Sequence, residues 1–471
     1  MSRIAIVWFR RDLRLGDNDA LTEALSSAAV VVPVFVLPDG EGAAICSGRG
    51  SKTWLSHSLA ALDTSLRELG SRLVIRNGPS TEALVDLARE CKATSVHCTR
   101  DWSPEGLAHE QRVGRALREV RISLEVSEGS LLVRPDAIAP KSGSDAYRVF
   151  APFFSAWEQQ WGNLSPKPAP TRMSAPRRWP ASGQLPPAAS GDVDLRKWWS
   201  PGEAGGRKLL DAFIEKNIRT YPQRRDDPGV DGTSRISPHL AFGEISPREV
   251  VAAVTAAAIE RDVERVFLRQ IAWREFSAHV VNCNPSMVTL PLCREFEAMP
   301  WHDDPKSLEA WRCGMTGYPL VDAGMRQLAK TGWMHNRVRM VAASLLTKHL
   351  LIHWRDGLAH FADLLTDNQI PVNVFNWQWV AGCGADAAPY FRIFNPTLQA
   401  ARYDPDGTYI RQWVPELASV PSRWITRPWE MPAEEARSAG LHIGETYPAP
   451  IVDHTEAHHR ALAAYGSVKG A

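Results

Sequence analysis

The first 126 residues constrain the fold most strongly, because short apolar runs alternate there with stretches of helical periodicity. Five runs predict strands: Ile4 to Phe9, Val30 to Leu37, Leu73 to Ile75, Ser95 to Cys98 and Ile122 to Val126. Between the second and third runs, one helical face is formed by Leu55, Leu59, Leu62, Leu66 and Leu69. Two further helices fit residues 81–91 and 105–119. This alternation predicts a doubly wound α/β domain with a parallel sheet.

Several common classes are excluded by what this chain lacks. The first strand is not followed by Gly-x-Gly-x-x-Gly, and there is no Gly-x-x-x-x-Gly-Lys loop, so the two usual nucleotide signatures are missing. The seven cysteines never form Cys-x-x-Cys, which indicates neither a disulfide framework nor a zinc site. A net charge of +1 means that nucleic acid would need a local basic patch. With no long apolar stretch and no leader pattern, we expect a cytoplasmic protein without a membrane segment.

The second half of the chain predicts helices throughout. Residues 162–206 are rich in Pro, Ser, Gly and Ala and predict a long connector without regular structure. Beyond it, Ser246 and Glu249 form a capping-box pattern that opens a helix. Other helices fit residues 207–216, 262–281, 307–312, 321–330 and 336–352. We therefore expect an α/β domain over residues 1–130, a linker over 131–206 and an all-helical domain over 207–471.

Two segments of the helical half carry residue types suited to a ligand. The first, Asp231 to Ser237, places three hydroxyls and a guanidinium beside a glycine, which suits a diphosphate but also an ordinary capping loop. The second is a helix on which Phe267, Gln270 and Trp273 share one face with Ser277. That face suits a planar ligand, and a partly buried amphipathic helix explains it equally well.

Two later segments extend this pattern. Asn336 and Met340 lie one helical turn apart, and an amide beside a thioether suits a base edge and an apolar ring. Trp377 and Trp379 lie two residues apart on a predicted helix and so face different environments. The chain holds 18 tryptophans, roughly three times the usual share. A tryptophan-rich core, an aromatic pocket and an electron path all remain open as explanations.

Long motifs in a fixed order resemble the photolyase/cryptochrome family over nearly the whole chain. They are Trp8 to Leu15, Gly232 to Ser237, Trp273 to Phe276, Thr316 to Asp322, Gly332 to Arg337 and Asp386 to Pro396. The resemblance implies an α/β antenna domain joined by a long linker to a helical FAD-binding domain, which agrees with the periodicities above. It also implies a blue-light-driven enzyme that repairs pyrimidine dimers in DNA, with most likeness to bacterial dimer photolyases.

The resemblance implies a U-shaped FAD and residues that hold it. The diphosphate and its neighbourhood would be held by Tyr221, Thr233, Ser234, Arg235, Ile236, Ser237 and Phe267. The isoalloxazine ring would lie along Asp367, Asn368, Gln369 and Asn373, with Asn373 near N5 and Arg339 paired with Asp367. A neutral amide near N5 can accommodate the protonated, reduced ring.

The family also implies roles for the tryptophans and for a DNA-binding surface. Trp377, Trp354 and Trp301 match the positions of its electron-transfer chain. Trp273 and Trp379 would wall a pocket in which Gln270, Asn336 and Met340 contact the damaged bases. DNA around the mouth of that pocket would contact Arg225, Arg337, Arg392 and Gln399. Because a lesion inside the duplex is out of reach, it would be flipped out of the helix into the pocket.

Some residues of this sequence differ from the pattern of dimer photolyases, so other functions within the family are considered. Many dimer photolyases carry glutamate where this chain has Gln270, and Gln369 replaces an expected aspartate. A (6-4) photolyase is disfavoured because Asn336 and Met340 occupy positions linked there to histidines. A cryptochrome-like light receptor that signals to a protein partner stays open, as does a flavoprotein that only binds DNA.

The remaining expectations concern the second chromophore and the assembly. The resemblance implies an antenna chromophore, either methenyltetrahydrofolate or 8-hydroxy-deazaflavin. One folate mode is disfavoured because Glu105, Gly106, Val288 and Thr289 do not match it. We expect a monomer that binds UV-damaged DNA and carries no metal.

Overall fold

The computed structural model describes residues 3–37, 48–140, 146–162, 164–187, 195–387, 389–390 and 392–469. Cys46 and two residues of the Asp386 to Pro396 motif, Ala388 and Phe391, lie outside these ranges. The chain clusters into two compact units. Unit 1 comprises residues 1–219, 234–285 and 366–371, and unit 2 comprises 220–233, 286–365 and 372–471. The expected domain boundaries at residues 130 and 206 stay a prediction.

Unit 1 contains a five-stranded parallel sheet of order β3-β2-β1-β4-β5. Its strands are β1 (Ile4–Phe9), β2 (Val30–Leu37), β3 (Val74–Asn77), β4 (Ser95–Thr99) and β5 (Ser123–Ser127). Ile6 pairs with Val32 on one side and Val96 on the other, so β1 lies at the centre. All five expected strands are confirmed within two residues at either end, because short apolar runs between helical segments mark the strands of a parallel sheet.

Unit 1 also contains the first six helices of the chain. They are α1 (Asp19–Ser27), α2 (Arg49–Glu68), α3 (Ser80–Cys91), α4 (Pro104–Glu119), α5 (Phe150–Trp157) and α6 (Glu203–Lys216). Leu55, Leu59, Leu62 and Leu66 of α2 are buried, as the leucine spacing predicts. Helix α6 begins at Glu203, so the expected connector ends earlier than residue 206. Helix α5 was not predicted, although Phe150, Phe153, Phe154 and Trp157 form its buried side.

Unit 2 is helical wherever the structure describes regular structure in it. The next helices along the chain are α7 (Tyr221–Arg224), α8 (Ser237–Ala241), α9 (Pro247–Ala256), α10 (Arg261–Cys283), α11 (Pro305–Arg312), α12 (Pro319–Thr331) and α13 (Asn336–Ser344). The last ones are α14 (Trp354–Leu364), α15 (Ile370–Ala381), α16 (Pro396–Tyr403), α17 (Thr408–Trp413), α18 (Ala433–Ser438) and α19 (His454–Lys469). Three of these helices belong to unit 1 by sequence position, namely α8, α9 and α10. Helix α15 begins in unit 1 and continues in unit 2. All the others from α7 to α19 belong to unit 2.

Two local features confirm or correct the helix predictions. The capping box is present, since the Ser246 hydroxyl accepts from the Glu249 N–H and the Glu249 carboxylate accepts from the Ser246 N–H. The helix expected over 336–352 is wrong in its second half. It stays α-helical only to Ser344 and continues as a π-helical turn over Leu345–His349. Side-chain periodicity does not reveal a π-helical turn, because the turn differs from an α-helical one by a single inserted residue and by its main-chain hydrogen bonds.

One glycine of unit 1 is fixed by close packing. Gly243 has a φ of +64°, and a Cβ there would lie 2.0 Å from the Arg11 carbonyl oxygen. The adjacent Phe242 carbonyl accepts a hydrogen bond from the Leu13 N–H at 3.1 Å. A larger residue at 243 would therefore separate the segment after β1 from the end of α8.

Candidate active site

In unit 1, the segment that opens α8 contacts the segment that precedes α15. The Ser237 hydroxyl donates to Asp367 Oδ2 at 2.7 Å, although 130 residues separate the two in sequence. Arg235 adopts a φ of +52°, and its guanidinium lies 4.4 Å from the centre of the Trp199 ring. A left-handed conformation at a non-glycine residue costs about 1 to 3 kcal/mol and is kept where surrounding contacts enforce it. Two segments expected to hold the same cofactor are thus in contact.

Two arginines of unit 1 fix the residues that follow Asp367. Arg11 donates to the carbonyl oxygen of Asn368 at 3.1 Å and to that of Ala241 at 3.0 Å. Arg274 Nε donates to Gln369 Oε1 at 2.9 Å, and its Nη1 donates to the Ser130 carbonyl at 3.1 Å. Burial lowers the pKa of Arg274 to about 10, so it remains a cation at neutral pH. The amide of Gln369 is therefore positioned by a charge-assisted bond.

The expected face of α10 exists, with partners that the sequence did not indicate. The Phe267 ring lies 4.9 Å from that of Phe213. The Gln270 amide donates back to the Val266 carbonyl at 3.2 Å, and Ser277 bonds the Trp273 carbonyl at 2.8 Å. The half-buried Trp273 stacks on Phe150, with ring centres 3.7 Å apart and planes 6° from parallel. One face of Trp273 is thus already covered by an aromatic ring.

In unit 2, the start of α13 is built around a neutral histidine and an acidic bridge. His335 caps α13 by accepting the Arg337 N–H at its Nδ1 at 3.2 Å, and burial lowers its pKa to about 4. The Arg337 guanidinium lies 3.0 Å from the Asp226 carboxylate and 4.4 Å from the centre of the Tyr403 ring. Arg337 is therefore held in place and is not a freely solvated surface residue.

The neighbours of this bridge include other expected site residues. Arg225 lies 3.8 Å from Asp226 and 5.5 Å from the Tyr221 ring centre. Burial raises the pKa of Tyr221 to about 12, so its hydroxyl keeps its proton. The Asn336 amide lies 3.8 Å from the Met340 sulfur, which confirms that the two share a helical face. Unit 2 thus presents two guanidiniums around one carboxylate, beside an amide and a thioether.

The three tryptophans expected to carry electrons all lie in unit 2. Trp354 and Trp377 are only 1% and 2% exposed, and Trp301 is half-buried. The His353 ring lies 5.1 Å from Trp301 and 5.5 Å from Trp354, measured between ring centres. Gly357, one turn after Trp354, packs so closely on Trp377 that a Cβ would lie 2.1 Å from its Cη2. Helix α14 thus joins the environments of all three indoles.

Other expected site residues have individual surroundings. Asn373 is 9% exposed, and Trp379 is half-buried while Trp377 is buried, as their spacing predicts. Arg339 Nε donates to the Met334 carbonyl at 2.8 Å. Thr233, Ser234 and Gln399 are half-buried, Ile236 is buried and Arg392 is exposed. The pairing of Arg339 with Asp367, and the joint role of Trp273 and Trp379, stay predictions.

Several residues near these groups were not singled out from the sequence. Phe150 stacks on Trp273, His353 lies between two tryptophans, and Gly357 contacts Trp377. Trp311 also lies 6.1 Å from Trp377, with its ring edge-on. Sequence spacing gives no signal for contacts between distant segments, so none of these contacts could be predicted from the periodicity.

The donor set fits a flavin dinucleotide better than a metal. Hydroxyls and guanidiniums suit a diphosphate, and the amides of Gln369 and Asn373 suit the polar edge of a planar ring. Within the described ranges, no group of three or more His, Cys, Asp or Glu side chains could hold a metal ion. The six cysteines that the structure describes are free thiols. Among the helices described, none is long and apolar enough to span a membrane.

Two family models match the chain and define its class. A model described as the FAD binding domain of DNA photolyase matches residues 267–467, and one described as DNA photolyase matches residues 5–172. The chain belongs to the photolyase/cryptochrome family, a class of FAD-binding proteins. The expected fold class, an α/β part with a parallel sheet followed by helices, is confirmed.

Individual relatives cover the chain from end to end. A deoxyribodipyrimidine photo-lyase of Agrobacterium fabrum is 44% identical over 98% of both chains. Cryptochrome-2 of Arabidopsis thaliana is 37% identical over 96% of this chain and 77% of its own. Among solved structures, a class III photolyase from Agrobacterium tumefaciens gives a TM-score of 0.96 at 43% identity and covers 100% of this chain and 98% of its own. A Synechocystis cryptochrome gives 0.90 at 30% identity over 98% of this chain and 99% of its own.

Proposed function

We propose that this protein is a deoxyribodipyrimidine photolyase, which uses blue light and reduced FAD to split cyclobutane pyrimidine dimers in DNA. The observation that carries the proposal is full-length similarity at 44% identity to a deoxyribodipyrimidine photo-lyase. The tryptophan series in unit 2 is compatible with this reaction, since a half-buried indole, Trp301, precedes two buried ones, Trp354 and Trp377.

The flavin would be held by the residues that the family resemblance implies, which include Ser237, Asp367, Gln369 and Asn373. When bound and reduced, FAD supplies the electron that light transfers to the dimer. Ser237 and Asp367, bonded at 2.7 Å, would fix the segment near the diphosphate. Gln369 is oriented by Arg274 and Asn373 is buried, so both amides would meet the ring with little reorganisation.

The lesion would leave the duplex and enter a pocket lined by aromatic and amide groups. Extruding a base costs a few kcal/mol, least where stacking is already disturbed. Stacking on an aromatic wall returns about 1 to 3 kcal/mol per base, so a distorted dimer is favoured over normal thymines. Trp273 is suited to be such a wall, because Phe150 supports one face and fixes the orientation of the ring.

Contacts to DNA outside the pocket would come from Arg225, Arg337, Arg392 and Gln399. Arg337 is oriented by Asp226 and Tyr403, so its guanidinium is preorganised for a phosphate. A net charge of +1 makes such local cations the main electrostatic attraction for DNA. We propose a monomer for this reaction, located in the cytoplasm.

The tryptophans would return the flavin to its reduced state. Trp377, Trp354 and Trp301 would pass an electron inward from a half-buried to a buried indole, as the family's electron-transfer chain does. The Arg355 guanidinium lies 5.6 Å from the centre of the Trp354 ring, and a cation at this distance disfavours positive charge on that indole.

A second chromophore would widen the absorbed spectrum. A photolyase from Sulfolobus tokodaii, 29% identical to this chain with a TM-score of 0.83, is described with two FAD molecules and a light-harvesting role for one cofactor. Methenyltetrahydrofolate and 8-hydroxy-deazaflavin are both retained here as candidates. The absorption spectrum of the purified protein would distinguish them.

A light receptor is the second candidate, favoured by the cryptochromes that match this chain at 30% to 37% identity. Such a protein would use the same flavin and tryptophans without splitting dimers. It would bind a protein partner in a light-dependent manner.

The deciding experiment is a repair assay on an oligonucleotide with one thymine dimer. Purified, reduced protein should restore the thymines under blue light and not in darkness. The Trp377→Phe variant should repair normally when its flavin has been reduced chemically beforehand. Once the flavin is oxidised, light should fail to restore the activity of this variant. Binding of dimers without splitting would contradict the enzyme and favour a DNA-binding flavoprotein, whereas absence of both would favour the receptor.

A further inference from the structure

A buried lysine holds the loop that carries Arg392, one of the residues expected to contact DNA. Lys348 is 1% exposed and lies in the π-helical turn Leu345–His349 of unit 2. Its Nζ donates to the carbonyl oxygen of Tyr390 at 3.1 Å and to that of Arg392 at 3.2 Å. The same ammonium lies 4.9 Å from the centre of the Tyr390 ring. All these groups belong to unit 2.

Two other contacts fix the same stretch, here named the 390–394 loop after its described residues Tyr390, Arg392, Ile393 and Phe394. The Ser344 hydroxyl, immediately before the π-helical turn, accepts the Phe394 N–H at 3.2 Å. Tyr465 of α19 stacks on Tyr390, with ring centres 4.3 Å apart and planes 9° from parallel. Main-chain groups of Tyr390, Arg392 and Phe394 are therefore each held by a hydrogen bond.

The side chain of Arg392 contrasts with its main chain. Arg392 is exposed, while the carbonyl oxygen of the same residue is bonded to a buried ammonium. Such an arrangement fixes where the side chain starts and leaves the guanidinium accessible. A phosphate contact benefits from this, because less conformational freedom is lost when DNA binds.

The choice of lysine at this position is costly for stability alone. A buried ammonium loses its hydration, and here desolvation lowers the pKa of Lys348 to about 7. The charged or ionisable side chains that affect it are Cys383 and Arg392, and the Arg392 cation lowers the pKa further. The neutral amine still has two N–H donors, so both carbonyl bonds persist when the proton is lost.

We propose that Lys348 is a positioning residue for lesion binding, which holds the 390–394 loop so that Arg392 reaches the DNA backbone. The proposal rests on the function proposed above, since it requires that Arg392 contacts DNA. It predicts that Lys348 acts through Arg392 and not through a contact of its own.

A double-mutant cycle tests this coupling. Affinity for dimer-containing DNA would be measured for the wild type, Lys348→Met, Arg392→Ala and the double variant, all as holoprotein. We expect Lys348→Met to weaken binding by roughly three- to tenfold, the range of one lost ordinary hydrogen bond. In the Arg392→Ala background the same change should have little further effect, since coupled residues are not additive. KM should rise, while kcat at saturating DNA and flavin photoreduction stay unchanged.

Matched variants separate positioning from general destabilisation. Lys330→Met removes an exposed lysine at the end of α12 and should leave DNA affinity unchanged. If Lys348→Met fails to fold, Ser344→Ala takes its place in the cycle, with a smaller loss of affinity that again depends on Arg392. Fully additive losses would overturn the inference, as would a kcat that falls with KM unchanged. Wild-type protein that neither binds nor repairs dimers would instead contradict the proposed function.

Discussion

The tryptophan region of unit 2 and the α10 face of unit 1 use aromatic rings in different ways. In unit 2, Trp354 and Trp377 are almost fully buried, and Gly357 leaves no space beside Trp377. On α10, Trp273 is half-buried, and among the described residues Gln270 bonds only to a carbonyl of its own helix. The first region is fixed by steric fit between segments, whereas Gln270 and Ser277 of the second are fixed by bonds to carbonyls of their own helix.

This difference sets the expected sensitivity of each region. A closely packed ring cannot move without disturbing its neighbours, so one added methyl group has a large effect. A half-buried amide bonded to its own helix can change rotamer at small cost. Changes in the tryptophan region should therefore be severe, and changes on the α10 face should be graded.

The largest effect is expected for Gly357→Ala. The new Cβ would lie 2.1 Å from Trp377 Cη2, so either the indole or α14 must shift. We expect a loss of about 1 to 3 kcal/mol in the free energy of unfolding, the usual range for overpacking. Flavin photoreduction should also slow, because Trp354 lies on the same helix. Urea unfolding and photoreduction kinetics measure the two effects.

Gly466→Ala is the matched control for this prediction. Gly466 lies inside α19, and a Cβ there has no heavy atom within 4 Å. Alanine should stabilise this position by up to about 1 kcal/mol, because it is the better helix former. Equal effects of the two substitutions would show that the tryptophan region is not sterically constrained.

Much of this fold could be predicted from local sequence patterns. Contacts between segments distant in sequence could not be predicted in this way. The strands and the Ser246 capping box are confirmed because each depends on residues close in the chain. The π-helical turn over Leu345–His349 was missed, since residue types do not mark the change from i→i+4 to i→i+5 main-chain hydrogen bonds.

The candidate site shows the same division. The spacing of Asn336 and Met340 predicted a shared face correctly, because both lie on one helix. The bond from Ser237 to Asp367 and the stack of Phe150 on Trp273 join residues more than 120 positions apart. Such contacts depend on tertiary packing, and the family resemblance indicated only that the first two act on one cofactor.

A second prediction concerns pH and the histidine between Trp301 and Trp354. Burial and the nearby Arg355 cation lower the pKa of His353 from its ordinary value of 6.5, so the ring is neutral at pH 7. Its Nδ1 accepts the Arg355 N–H at 3.0 Å, which leaves the proton on Nε2. Below pH 6.5 the ring gains a charge as the pH passes its lowered pKa. That cation should disfavour positive charge on either indole and slow photoreduction.

The pH dependence can be assigned with one substitution. His353→Asn keeps an N-cap acceptor for α14 but does not titrate, so its photoreduction rate should stay level between pH 7.5 and 5. If the photoreduction rate of the variant falls with pH as it does in the wild type, a group other than His353 is responsible for the pH dependence. The folded state of the wild type should also lose stability as the pH falls, since a lowered pKa favours the neutral form.

The smallest effect is expected on the α10 face, for Gln270→Glu. A carboxylate cannot donate to the Val266 carbonyl, so the present 3.2 Å bond would be lost and the side chain would turn away from its own helix. A charged acceptor toward the N–H groups of a pyrimidine dimer should raise repair rate or lesion affinity by a few-fold, since a typical hydrogen bond contributes about 0.5 to 1.5 kcal/mol net. Gln270→Met, which removes both donor and acceptor, is the control and should lower affinity. Repair would be measured on a dimer-containing oligonucleotide. If Gln270→Glu repairs it equally well or less well than the wild type, residue 270 does not face the lesion.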